Sequence, residues 1–439
     1  MDYIHRHITD NMTVRMKDEQ IIALTGARQT GKTTLCEKEI PVAANLPFTY
    51  ITFDDPDERL RFQKAAVSIL ERLDTPLVIL DEVQKLPSIF DPLKLVTDRE
   101  KKQEGRFSRT FLLTGSSQFL LMRNVHETLA GRIALFNLHP LSLSEMMGGK
   151  STCLLERIWR LQKIGEQDRK DFFSLPPDMV RKMISLRDRH LAWGGYPPVW
   201  QRQDDASKAN WLKDYRRTYL ERDIADVGQV ADIDLFAQAQ KILCARTANI
   251  LSVSEVARDL SLTVNTVKRY IGLLTMSFQC HLLPPYYANV GKRLVKSPKI
   301  FFPDTGLLRM ILGDLSVSSG ALYESWLFSE LNKWRQLQPV APELFFYRTS
   351  GGREIDFLVA GKDRILPIEA KSYDQVSSSD GRNLESFLKE YGSATATGLV
   401  IYPGRDLVEI RENIWAVPDW YLFSRNSGTL DGEVYHNHT

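Results

Sequence analysis

Two kinds of apolar pattern alternate along this chain. Ile21-Ile22-Ala23-Leu24, Leu77-Val78-Ile79-Leu80 and Thr110-Phe111-Leu112-Leu113 are short and closely apolar, and each runs into polar or small residues. Such runs predict strands buried on both faces of a parallel sheet. Leu154 to Ile164 and Met179 to Leu191 instead carry apolar residues at helical spacing, and Trp211 to Asp223 is a third helical candidate. The stretch from Gly165 to Lys170, polar and charged after its glycine, predicts an exposed link, and Ser174-Leu175-Pro176-Pro177 breaks the helices around it.

Leu251 to Pro303 reads as a winged helix-turn-helix. Ser254 is placed to N-cap a helix over Glu255–Leu260, Ser261-Leu262-Thr263 makes the turn, and Val264–Thr275 forms a second amphipathic helix. Residues 277–283 and a return strand, Lys299-Ile300-Phe301-Phe302, then make the wing. Further on, a helix opens at Gly320-Ala321-Leu322-Tyr323-Glu324 and continues through Leu331 and Trp334. Glu343–Arg348 and Glu354–Val359 predict two strands joined across Ser350-Gly351-Gly352, and Leu366–Lys371 predicts a third.

The first strand leads into Gly26-Ala27-Arg28-Gln29-Thr30-Gly31-Lys32-Thr33, which fits G-x-x-x-x-G-K-[ST], and residues from Thr34 to Lys38 can continue as a helix. Successive backbone amides and a helix N-terminus then face one concavity, which favours a polyphosphate. Residues 26–34 are thus the predicted cradle for a nucleoside triphosphate, with ATP and Mg²⁺ the expected ligands. Lys32 adds charge at the β/γ end and Thr33 offers its hydroxyl to the metal. The second strand ends in Asp81-Glu82, placed for Asp81 to hold Mg²⁺ and Glu82 to orient the attacking water. The third ends in Thr114-Gly115-Ser116-Ser117. Thr114 and Ser116 are candidates to sense the γ-phosphate or hold the water, a helix cap at Ser117 being the alternative. Arg132 is a candidate to stabilise charge on the transferred phosphoryl group, from a neighbouring subunit in one version. A surface ion pair is the ordinary use of such an arginine.

Composition narrows this little. With 439 residues, 43% apolar and 26% charged, the chain suits two to four domains and excludes wholesale disorder. A net charge of +2 means that any nucleic-acid surface must be local. One local excess exists: Arg258, Lys268, Arg269, Lys292, Arg293, Lys296 and Lys299 face only Glu255 and Asp259 within the winged segment. Lys268, Arg269, Lys292 and Arg293 are its candidates for DNA phosphate contacts, with protein contacts the alternative use. Cys36, Cys153, Cys244 and Cys280 have no metal-ligand spacing and suit a reducing compartment. No stretch is long enough to span a bilayer and no apolar signal region opens the chain, so a cytoplasmic location is expected.

The run from Thr25 to Leu35 resembles a family of predicted prokaryotic AAA+-type ATPases. So do Phe53-Asp54-Asp55-Pro56, Leu80-Asp81-Glu82-Val83-Gln84, Leu113-Thr114-Gly115-Ser116-Ser117 and Leu129-Ala130-Gly131-Arg132. Gly194-Gly195-Tyr196-Pro197 and Tyr219-Leu220-Glu221-Arg222-Asp223-Ile224 extend the likeness. Members carry a C-terminal DUF4143 domain similar to PD-(D/E)xK nucleases. The resemblance implies an α/β protein in four parts. These are a P-loop core with a parallel sheet over 1–140, a helical lid or linker over 141–230, a winged helix over 231–304, and an α+β nuclease-like domain over 305–439. It also implies that Asp356 and Glu369 hold one or two Mg²⁺, that Lys371 activates water and that Glu324 supports the metal shell. Alternation puts Glu369 and Lys371 on one strand face, although a salt-bridged surface strand is the usual meaning of E-x-K.

The leading expectation is an ATPase whose nucleotide state reorients a DNA-binding winged helix and a nuclease-like domain. An ATP-gated DNA nuclease and a non-enzymatic, ATP-dependent switch that grips a protein are the alternatives. A homo-oligomer, DNA and an unknown protein are the partners considered, and no membrane.

Overall fold

A computed structural model of the chain describes residues 3–104, 108–115, 129–148, 153–226, 230, 232–287, 296–313, 318–392 and 394–424. The chain divides into two compact units, each discontinuous in sequence. The first comprises Met1–Leu141, Trp193–Leu282 and Ile300–Val317, and the second Ser142–Ala192, Leu283–Lys299 and Ser318–Thr439. Four consecutive blocks are therefore not the division seen at this level. The expected lid is shared, residues 142–192 packing in the second unit and 193–226 in the first.

Five parallel strands organise the first unit: β1 (Ile21–Thr25), β2 (Phe48–Thr52), β3 (Leu77–Asp81), β4 (Thr110–Thr114) and β5 (Ile133–Asn137). Their order is β2-β3-β4-β1-β5. β1, β3 and β4 are buried along their whole length, as closely apolar runs require. β2 and β5 form the edges and are part-exposed; Thr49 and Thr52 break the apolar pattern of β2, whereas β5 is apolar over Ile133–Phe136 and was not read as a strand. On one sheet face Ile21, Ala23, Val78, Leu80, Phe111 and Leu113 pack against Phe62, Leu70, Phe90, Leu93 and Val96. The partners come from helices Pro56–Arg72 and Phe90–Glu104. Each such side chain contributes about 1.5–3 kcal/mol on burial.

The rest of the first unit is mainly helical. Helix Val253–Asp259 is N-capped by Ser252 and not by Ser254, the amide of Glu255 donating to the Ser252 hydroxyl at 3.4 Å. Thr263 caps the second helix, Val264–Met276, as a helix-turn-helix requires. β6 (His281–Leu283) and β7 (Lys299–Phe301) pair beyond it. The glycine pair at 194–195 has a mechanical reason. Gly194 has φ of 71°, and a Cβ there would stand 2.2 Å from Asp304 Oδ1. The Asp304 carboxylate accepts from the amides of Gly195 at 2.8 Å and Leu307 at 2.9 Å, so it joins this loop to helix Thr305–Leu312.

The second unit holds a six-stranded mixed sheet. Its strands are β8 (Glu343–Arg348), β9 (Glu354–Ala360), β10 (Ile365–Ala370), β11 (Gly398–Tyr402), β12 (Val408–Arg411) and β13 (Ile414–Pro418). The order is β12-β13-β11-β10-β9-β8, parallel through β10, β11 and β13 and antiparallel towards both edges. Residues 165–170 are largely exposed, as expected, but they are not a link. They open helix Glu166–Phe173, whose Asp168 is 1% exposed and ion-paired with Arg157 at 2.9 Å. The expected break at 174–177 does separate that helix from the next, Pro177–Trp193. Among the described residues no helix is long and apolar enough to cross a membrane.

Two glycine substitutions should act in opposite directions. Gly194→Ala should lower stability by about 1–3 kcal/mol through strain and the Asp304 clash. Gly272 lies within helix Val264–Met276, with open space where a Cβ would go. Gly272→Ala should raise stability by about 0.5–1 kcal/mol. Urea midpoints of the two variants measure both.

Candidate functional site

The phosphate loop is shaped by backbone that ordinary residues avoid. Gly26 has φ of 147° and lies so close to β5's exit that a Cβ would stand 2.2 Å from the Leu138 carbonyl oxygen. Gln29 and Gly31 follow at φ 64° and 95°. Thr30 Oγ1 donates to the Ala27 carbonyl at 2.9 Å and closes the loop on itself. From Lys32 the chain runs helically to Ala44, with a wider turn over Leu35–Glu39. Lys32 Nζ donates to the carbonyls of Gly26 at 3.0 Å and Ala27 at 2.9 Å. Burial pulls this ammonium down to about 8, against the opposing pull of Glu82.

Because β4 lies between β1 and β3, the ends of three strands converge on one carboxylate. Asp81 is buried and accepts from Tyr50 at 2.7 Å, from Thr33 at 3.4 Å, and from Thr114. The structure thus brings Thr33, Asp81 and Thr114 together, and adds Tyr50, which no motif announced. The signal was modest: a tyrosine near the end of an edge strand whose Thr52 pairs with Asp81. Burial, followed by the hydrogen bond to Asp81, pushes the Tyr50 phenol up. Glu82 has the left-handed φ of 55° and accepts from Gln84. A non-glycine residue there costs about 1–3 kcal/mol, a strain characteristic of functional turns.

Arg132 does not join this cluster. The pairing of Ile21 with Ile133 sets it at the start of β1, whereas the loop leaves β1's end, roughly 16 Å away along five residues. Its guanidinium pairs with Asp98 at 3.1 Å. Ser116, Lys292 and Arg293 lie outside the described residues.

The N-terminal segment supplies groups that no motif announced. Buried Glu39, in the helical stretch after the loop, accepts from Tyr3, from the Arg6 amide at 3.2 Å and from Thr9, with His5 Nδ1 at 2.7 Å. Arg6 in turn donates to the carbonyls of Thr30 at 2.9 Å and His139 at 2.6 Å. A cavity of about 340 Å³ opens here, lined by Tyr3, Ile4, Arg6, Thr30, Gly31, Thr34, Lys38, Leu141, Pro197 and Gln201. Tyr215, in helix Asp205–Asp226, donates to the Arg28 carbonyl at 3.4 Å.

On the helix-turn-helix, Lys268 and Arg269 are both exposed on the second helix. The acids expected to oppose them, Glu255 and Asp259, pair instead with Arg246 at 3.0 and 2.6 Å. Lys299, read as a wing residue, corrects that expectation: it is 3% exposed and buried among carboxylates of the second unit. Its ammonium lies 2.7 Å from Glu354, 2.9 Å from Glu324 and 3.8 Å from Asp356.

Those carboxylates belong to a second centre. β9 and β10 pair with Ile368 opposite Phe357, so Asp356 and Glu369 are neighbours at the next step. Asp356 accepts from the Ala370 amide at 2.8 Å, and Lys371 Nζ stands 3.3 Å from Glu369. Glu324 reaches in from helix Ser319–Gln336 through Lys299. Burial, then the charge of Asp356, raises both Glu324 and Glu369 well above the carboxylate range. Glu324, Asp356, Glu369 and Lys371 are therefore assembled as expected. Among the described residues, however, no three His, Cys, Asp or Glu side chains form a group that could hold a metal ion. As they stand, these acids do not fit a divalent cation.

Residues 18–147 match the family model of an AAA domain, residues 184–317 that of a domain of unknown function (DUF8612), and residues 319–422 that of DUF4143. The chain joins an AAA domain, built on a P-loop NTPase sheet, to a C-terminal DUF4143 domain. An uncharacterized Mycobacterium tuberculosis protein is 28% identical over 405 residues, covering 91% of this chain and 80% of the relative. An uncharacterized Methanocaldococcus jannaschii protein is 22% identical over 371 residues, covering 82% and 76%. Among solved structures, the Aeropyrum pernix ORC2 protein in its ADP form aligns with TM-score 0.32 at 13% identity, covering 64% of this chain and 87% of that one. The Thermotoga maritima RuvB Holliday junction branch migration motor aligns with TM-score 0.26 at 16% identity, covering 64% and 90%.

The lowered Lys32 ammonium yields a proton signature. An approaching triphosphate stabilises its charged form, so binding at pH 8 should take up about half a proton, falling towards none at pH 6.5. Calorimetric ATP titrations in buffers of different ionisation enthalpy read that uptake directly.

Proposed function

We propose that the chain is an ATP hydrolase whose AAA domain works on a nucleotide held by residues 26–34. The arrangement that carries this reading is the convergence of Thr33, Tyr50 and Thr114 on Asp81 beside a buried Lys32. Lys32 leaves the Gly26 and Ala27 carbonyls for the β/γ-phosphates, and the loop amides hold the remaining oxygens. The cavity bounded by Tyr3, Arg6, Pro197 and Gln201 adjoins the loop and takes the nucleoside end. Thr33 and Asp81, whose oxygens already approach to 3.4 Å, would hold a magnesium ion that supplies charge to the phosphoryl group. Glu82 orients the attacking water, its left-handed backbone aiming the side chain off the strand axis. Thr114 keeps Asp81 in place.

Exposed Lys268 and Arg269 support DNA as the partner of the helix-turn-helix, because the local acids are already paired with Arg246. Arg132, set at the start of β1 and paired with Asp98, would act on a neighbour's nucleotide in an oligomer.

Lys32→Ala should abolish ATP binding in a calorimetric titration. Glu82→Gln should bind normally and lose about 10²-fold or more in steady-state phosphate release; equal rates for Glu82→Gln and wild type would remove Glu82 from the mechanism. Charge reversal at Lys268 and Arg269 should weaken DNA binding and flatten its salt dependence by about one to two counterions. Unchanged affinity and slope would assign this face to a protein.

A further inference from the structure

We propose that Lys299 is the resident cation of the acidic centre in the second unit, holding the place that a divalent ion would otherwise fill. This inference stands apart from the reading of the nucleotide site. Three observations carry it. The ammonium is 4% exposed and reaches two carboxylates at hydrogen-bond distance, Glu354 at 2.7 Å and Glu324 at 2.9 Å, with Asp356 at 3.8 Å. Its position is inside the ring of acids, with the face of Phe346 5.5 Å away. The acids, meanwhile, form no metal-holding group among the described residues.

The physical reason is one of size and charge. Oxygen ligands stand about 2.0–2.1 Å from Mg²⁺ and 2.3–2.6 Å from Ca²⁺. An ammonium holds its carboxylates at about 2.7–2.9 Å by directed hydrogen bonds, so the acids around it are spread too widely for a metal. Four acidic side chains gather here, Glu324, Glu354, Asp356 and Glu369, and Lys371 pairs with only the last. Without Lys299, Glu354 would keep only Arg348 at 3.6 Å, and Glu324 and Asp356 would lose the ammonium that lies between them. Buried, like-charged carboxylates in that state either take up protons or recruit another cation. The centre is thus a latent divalent-cation site closed by its own lysine, and Asp356-x12-Glu369-x-Lys371 marks a fold without marking a working metal site.

The test uses the full-length chain without nucleotide and Mn²⁺ as probe. Free Mn²⁺ is followed by electron paramagnetic resonance for wild type, Asp356→Asn, Lys299→Met, and Lys299→Met combined with Asp356→Asn. The expected result is one additional Mn²⁺ equivalent in Lys299→Met, bound at least about 10-fold more tightly than at any wild-type site outside the nucleotide loop, and lost in the double variant. Should Lys299→Met fold only weakly, Mn²⁺ but not Na⁺ should restore its thermal transition. Three outcomes overturn the proposal: a folded Lys299→Met that gains no Mn²⁺, an unfolded one that Mn²⁺ does not rescue, or a wild-type Mn²⁺ site that Asp356→Asn removes.

Discussion

The AAA domain depends on one buried carboxylate. Asp81 stands at the end of β3, two strands from the phosphate loop, and hydroxyls from β2, β4 and the helix after β1 point at it. Such a group is tolerable inside a sheet only when its lone pairs are satisfied. Satisfying them fixes the relative positions of four elements, and those positions are what a Mg·ATP site needs. Under the proposed function, the tie that joins these elements is also what positions the groups around Asp81 for catalysis.

Two buried lysines show how context decides what a charge is for. Lys32 faces carbonyl oxygens, and burial dominates, so its charged form is disfavoured until an anion arrives. Lys299 is buried as well, yet Glu324, Asp356 and Glu354 outweigh the burial, so its charge is locked in place. The first is held by neutral carbonyl oxygens, the second by carboxylates. Nothing in the residue type distinguishes them. Only the oxygen atoms around each ammonium do.

The parts of the fold that were legible in advance share a cause. β1, β3 and β4 are interior strands of a parallel sheet, and burial on both faces leaves a closely apolar signature. β2 lies at one edge, where water reaches part of the strand and Thr49 and Thr52 dilute the pattern; β5, at the other edge, is apolar over Ile133–Phe136 although Leu135 is exposed. The helix-turn-helix was legible from capping residues, although Ser252 and not Ser254 makes the first cap. Within residues 165–170 the charges of Glu166, Arg169 and Lys170 do face solvent, but Asp168 is paired with Arg157 and buried, and the stretch opens a helix. A composition rule cannot see a partner on another helix.

Local chemistry by itself determined the shape of the loop at residues 26–34 and the acid at the end of β3, since both are made from contiguous residues whose geometry follows from glycines, a strand end and a helix start. It also singled out Glu324, Asp356, Glu369 and Lys371, which the fold brings close together. Tertiary structure alone decided that Tyr50 and the Tyr3–Arg6 segment belong to the first site. It set Arg132 a strand length from its own loop and carried Lys299 from an apparent wing into a ring of acids. The reason is common to all of these. Charges and hydroxyls act over a few ångströms in space, and when their partners come from distant parts of the chain, no spacing along the sequence records the meeting.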